Sequence, residues 1–210
     1  MVTNLKFETF LYLGPNKISL YVNQKKDFRS IYKDEVSVNN ISNELNLEKI
    51  DKFLSEKIFK VEKDLNSFIQ NISVAISSED IFKLKISVKR NNHNEIINNS
   101  SLIYLLNEAK DDCKESIKDK KIIHILIDNY LIDNESYIKL PDNIKCKNFS
   151  LDLSFICLPV GLVANLEKIL EKYQISVNQF LSADYIEIFS KKENLDFFQS
   201  MSKIIDGDNP

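Results

Sequence analysis

The sequence predicts an α/β chain of more than one unit, and three observations carry that prediction. Phe149, Leu151, Leu153, Phe155 and Cys157 alternate with Ser150, Asp152, Ser154 and Ile156, the period of a half-buried strand. From Leu47, the apolar residues Ile50, Leu54, Ile58, Val61, Leu65, Phe68 and Ile69 recur at three- and four-residue steps, the period of an amphipathic helix. Between them, Arg90-Asn91-Asn92-His93-Asn94-Glu95 is wholly polar and reads as a domain boundary or exposed loop.

Taken in order, Leu5–Leu13 and Ile18–Val22 are two strands around a Gly14-Pro15-Asn16 turn, and Phe28–Val38 supplies a third. Asn39–Asn46 is a polar connector whose last residue caps the Leu47–Ile69 helix, with Glu48 suited to the positive end of the helix dipole. Strands follow at Ile72–Ser77 and Ile81–Val88. Beyond the polar stretch come a helix over Leu102–Ile117, a strand at Ile122–Ile127 and its hairpin partner Tyr130–Leu140. Phe149–Leu158 is then a strand, Leu162–Tyr173 a helix and Ile175–Phe180 a further strand, while Ala183–Ser190 fits either type. In the tail Asn194–Ile205, one face of a short amphipathic helix carries Leu195, Phe198, Met201 and Ile205. Packing on the domain is the commoner use of such a face and partner binding the next, so these four residues are the candidate partner surface.

Composition removes several function classes. The 28 basic and 31 acidic residues leave a net charge of −3, so no whole-chain field favours nucleic acid or an anionic membrane. Only three glycines are present, Gly14, Gly161 and Gly207, too few for the glycine-rich loops that bring backbone N–H groups against phosphate. Cys113, Cys146 and Cys157 lack metal-ligand spacing and read as reduced thiols, and no metal or cofactor is expected. No apolar run approaches the ~18 residues of a membrane span, and Met1–Phe10 lacks the pattern of a signal peptide, which points to a cytoplasmic chain.

No catalytic constellation stands out. His93 falls in the polar stretch and His124 in an apolar strand, where a structural histidine is the commoner reading. Glu108, Asp111, Asp112 and Glu115 interleave with Lys110, Lys114 and Lys118 as a solvated helix face. The expectation is a protein without enzymatic activity.

From residue 100 onward the order of motifs is Leu105-Leu106-Asn107-Glu108-Ala109, Ile123-His124-Ile125-Leu126-Ile127, Tyr130-Leu131-Ile132-Asp133 and Leu140-Pro141-Asp142-Asn143. Asn165-Leu166-Glu167-Lys168-Ile169-Leu170 and Leu181-Ser182-Ala183 follow. Over Ser100–Tyr185 this order resembles the inserted subdomain of the bacterial cell-division protein FtsA, a member of the actin-like superfamily. The resemblance implies a partial actin-like (ribonuclease H-like) lobe with a small inserted α/β subdomain: residues 1–90 a degenerate first-lobe unit, 91–190 the insert, and 191–210 a C-terminal amphipathic helix and tail.

In that family a D-x-G-T/S-x-K hairpin binds phosphate, and Tyr12, Gly14, Pro15 and Lys17 stand in its place. Tyr12 replaces the acidic residue and Pro15 the hydroxyl residue, so no phosphate-binding role carries over to Gly14 and Lys17. A full family member continues through a second actin lobe, which this chain, ending at Pro210, is expected to lack. The resemblance implies a nucleotide-free cell-division (divisome) scaffold at the septum. It would act by self-association or through cell-division proteins such as an FtsN-like segment or FtsZ, and reach the inner membrane only through them. The alternative within the same superfamily is a pilus- or secretion-assembly adaptor, and outside it a small enzyme with an unrecognised site.

Overall fold

The computed structural model describes residues 7–26, 28–38 and 44–207. The elements run β1 (Phe7–Leu13), β2 (Lys17–Gln24), β3 (Ser30–Ser37), α1 (Leu47–Leu65), β4 (Asn71–Ile76) and β5 (Phe82–Ile96). They continue with α2 (Asn99–Asp112), α3 (Lys114–Ile117), β6 (Lys120–Ile132), β7 (Glu135–Tyr137) and β8 (Lys145–Pro159). The last are α4 (Val160–Glu171), β9 (Ser176–Ser182), α5 (Ala183–Glu193) and α6 (Phe197–Asp206). They form two units: the chain up to Ile81 together with the chain from Gly161, and the intervening Phe82–Val160.

The first unit is a five-stranded sheet of order β3-β2-β1-β4-β9. β2 runs antiparallel to both of its neighbours, whereas β1, β4 and β9 are parallel to one another. Period-2 alternation sorts the side chains. Phe10 lies opposite Tyr21 and joins a cluster with Ile186, Phe189, Met201 and Ile204 of α5 and α6. Leu11, opposite Leu20, belongs to the other face. There Asp34, itself opposite Leu20, accepts an ion pair from Lys57 of α1 at 2.8 Å.

α1 starts where Asn46 accepts a hydrogen bond from the Lys49 N–H and stops where Asn66 takes a left-handed conformation, φ 49°. Its buried residues Ile50, Phe53, Leu54, Ile58 and Val61 each contribute about 1.5–3 kcal/mol of transfer free energy. A partly exposed ion pair such as Lys57–Asp34 contributes at most about 1 kcal/mol. The apolar stripe therefore holds the helix, and the ion pair adds little.

The second unit is an antiparallel sheet of order β5-β8-β6-β7. Phe149, Leu151, Leu153, Phe155 and Cys157 of β8 share a core with Leu105 and Ala109 of α2. On the opposite face Asp152 accepts hydrogen bonds from Ser87 and from the Asn129 side-chain amide, and Asp128 accepts one from Ser154. Asp133 and Asn134, both at positive φ (48° and 76°), make the two-residue hairpin turn into β7. The Asp133 carboxylate then accepts the N–H groups of Asn148 and Lys147, which lowers it from the usual carboxylate value.

The structure divides the chain at Ile81/Phe82 and Val160/Gly161, not after residues 90 and 190. The polar stretch 90–95 is the far half of β5, which keeps pairing with β8 on both sides of a register shift between Asn91 and Glu95. The segment after Gly161 returns to the first sheet because β9 pairs in parallel with β4, Ala75 opposite Leu181. The β6 hairpin turns at Asp133-Asn134, so Tyr130 belongs to the first strand. Ala183–Glu193 is a helix. Of the expected first strand, Leu5 and Lys6 lie outside the described residues, as do residues 39–43 of the connector.

Candidate functional site

The β1–β2 turn is closed on itself. The Gly14 N–H donates to the Lys17 carbonyl at 2.9 Å, and Pro15 has no N–H to offer. Flanking carbonyls are also engaged, Asn16 by the Val38 N–H and Leu13 by the Ser77 N–H, each at 2.8 Å. Two of the amides on which a phosphate at this turn would rely are thus used or absent.

Tyr12 fills the space beside the turn. A Cβ placed on Gly14 would lie 2.8 Å from the Tyr12 hydroxyl oxygen and 2.9 Å from its ring, so any side chain there would have to displace that ring. The Lys17 ammonium rests 5.2 Å from the centre of the same ring. Phe197 meets the ring edge-on at 5.6 Å. The four positions singled out in the sequence, Tyr12, Gly14, Pro15 and Lys17, are therefore together in space as an aromatic-capped turn.

The candidate partner surface in the tail is placed differently. Met201 is fully buried among Phe10, Ala75, Leu181, Ile186 and Phe189, and Leu195, Phe198 and Ile205 pack against that cluster half-buried. The amphipathic face therefore covers the protein's own sheet and is not open to a partner. Local chemistry directs it there: Asn194 ends α5 in a left-handed conformation, and Asp196 caps α6 by accepting the Phe198 and Gln199 N–H groups. Ser190 of α5 donates to Ser200 of α6 at 2.8 Å. Tyr21 stacks on Phe198, with ring centres 4.1 Å apart.

Next to the turn lies a groove of about 570 Å³ between the strands and the α5–α6 pair. One wall carries Tyr12, Lys17, Ser19, Tyr21, Ser30 and Lys33, the other Glu187, Asp196, Phe197 and Phe198. Ser19 lies opposite Tyr12 in register, and its hydroxyl is buried without a hydrogen-bond partner. Such a group costs roughly 1–3 kcal/mol until something bonds to it. Sequence reading missed Ser19, Tyr21 and Lys33 because a strand's alternation marks its faces and not what crosses above them.

The remaining reactive groups are quiet. Cys113, Cys146 and Cys157 are buried in the second unit's core, and burial pushes each thiol up. His124, buried in β6, is lowered to about 4 by desolvation, whereas His93 is exposed in β5. Among the described residues no group of three His, Cys, Asp or Glu could hold a metal ion, and no helix is long and apolar enough to cross a membrane.

The sequence matches no protein-family model and no curated protein. Among solved structures, the PilM–PilN type IV pilus biogenesis complex is similar in fold, with a TM-score of 0.51 at 9% identity over 89% of this chain and 50% of that one. The cytoplasmic domain of EpsL, an inner-membrane component of the Vibrio cholerae type II secretion system, aligns with a TM-score of 0.40 at 12% identity, over 84% of this chain and 56% of that one. A Bacteroides thetaiotaomicron protein with an actin-like ATPase fold aligns with a TM-score of 0.39 at 12% identity, over 89% and 56% respectively. The chain spans about half the length of these solved chains. The fold is α/β with a small α/β unit inserted in the chain, as the sequence predicted, and its likeness to the pilus complex is one of fold alone. The likeness does not single out a division protein.

Proposed function

We propose that this chain is a non-catalytic, actin-like adaptor that holds a partner protein within a pilus- or secretion-assembly complex on the cytoplasmic side of a membrane. The observation that carries the reading is the turn: the ring of Tyr12 against Gly14, with the Gly14 amide already bonded and Pro15 without one. A frame that elsewhere handles nucleotide is here closed by an aromatic side chain, which favours binding over phosphoryl chemistry. Likeness to one chain of a two-protein pilus complex supports the choice of partner class over the division proteins.

The test is recovery of the tagged full chain from its own cells after crosslinking, with a calorimetric titration of MgATP beside it. Inner-membrane pilus or secretion components are the expected catch, and no MgATP heat is expected. Enrichment of FtsZ or an FtsN-like protein instead, or micromolar MgATP binding lost in Lys17→Ala, overturns the proposal.

A further inference from the structure

The groove beside the turn has the features of a small-molecule site that the adaptor role does not require. We infer that it binds an organic carboxylate with an aromatic or similarly flat apolar body. Its volume, about 570 Å³, falls within the ~300–1,000 Å³ usual for ligand pockets.

Three independent features define the ligand. The first is apolar: Tyr21 stacks on Phe198 and Tyr12 meets Phe197 edge-on, so the lining is aromatic where the two walls meet. The second is charge. Lys17 and Lys33 supply two cations on the strand wall. Of the two facing carboxylates, Asp196 is engaged by the N–H groups at the start of α6, where the helix dipole further offsets its charge. Within the lining Glu187 then faces the two lysines, of which Lys33 also lies 3.8 Å from the exposed Glu35 carboxylate.

The third feature is the Ser19 hydroxyl on the strand wall, which is buried and without a partner. A carboxylate oxygen reaching it would accept its proton in a charge-assisted hydrogen bond. The same oxygen would have Lys17 or Lys33 as counter-charge. Lys17 already rests over the Tyr12 ring, a position from which the flexible ammonium can swing toward an entering anion.

Calorimetry and NMR titration of the full chain test this with 4-hydroxyphenylacetate as probe, alongside 4-hydroxybenzylamine and inorganic phosphate. The acid should bind saturably with Kd near or below about 1 mM. Ser19→Ala and Lys33→Gln should each weaken it by roughly tenfold, as expected for one hydrogen bond or counter-charge to an ionised group. Lys139→Gln, outside the groove, should leave binding unchanged. Lys33 is exposed, so its variant tests the site even if Ser19→Ala perturbs folding.

No saturable binding of the acid overturns the inference, as does binding indifferent to both groove variants. Tighter binding of the amine overturns the assigned charge, and binding of inorganic phosphate alone overturns the apolar body. None of these results depends on which protein partner the chain recruits.

Discussion

The Lys172 ammonium lies 2.6 Å from the Asp51 carboxylate, and Tyr173 donates to the same side chain at 3.2 Å. This joins α1 to the end of α4 within one unit, although 121 residues separate the ion pair in sequence.

That contact should register as a small, pH-dependent stability term. The Lys172 hydrogen bond holds the Asp51 carboxyl below its usual range, so the folded pKa is the lower one. Its contribution is present above the unfolded carboxylate value of about 3.9 and disappears as pH falls through the folded one. Both partners are more than a third exposed at the side chain, so screening limits the effect. Asp51→Asn should cost about 0.5 kcal/mol at pH 7 in urea denaturation, closing to nothing near pH 2.

His124 predicts a second window with the opposite chemistry. Desolvation lowers it to about 4, so between that value and the unfolded ~6.5 only the unfolded chain takes up its proton. Stability therefore falls as pH drops from about 6.5 to 4 and levels below. His124→Gln should flatten that segment of a stability profile, and NMR should find the native imidazole neutral at pH 5.5.

Gly14→Ala should destabilise the fold by roughly 1–3 kcal/mol, because the added methyl meets the Tyr12 ring in space already filled. The ring is the specific obstacle, so the penalty should shrink when Tyr12→Ala is made first. Additive costs in the double-mutant cycle would contradict the close approach.

Met201→Ala should remove about 2–4 kcal/mol by opening a cavity under α6. Ile188→Ala, on the exposed side of α5, should change stability by less than about 0.5 kcal/mol. Thermal denaturation compares the two directly, and similar small shifts would return α6 to the role of an exposed partner surface.

Iodoacetamide should leave all three cysteines unmodified in the native protein and label them after unfolding, read by mass spectrometry. Burial raises each thiol and denies the reagent access.

The elements written by local rules were legible in the sequence. Asn46 announced α1, and the alternation from Phe149 announced β8, because caps and periods are short-range signals. The pairing of Ala75 with Leu181 was not legible, since a parallel partner a hundred residues away leaves no mark on either segment, and the unit boundaries were misplaced as a result. The turn at Tyr12, Gly14, Pro15 and Lys17 was visible as a set of substitutions. What could not be read was that the Tyr12 ring occupies the space next to Gly14, or that Ser19 lies buried in the neighbouring groove.

The second unit begins and ends on paired strands: Phe82, its first residue, lies opposite Cys157, three residues before its last. Entry and exit of the chain are thus neighbours. A segment anchored in this way is a cassette, which can be lengthened, traded or cut out and replaced by a short bridge while the host sheet keeps its register. Changes of length within that block need not disturb the pairing of the five-stranded frame.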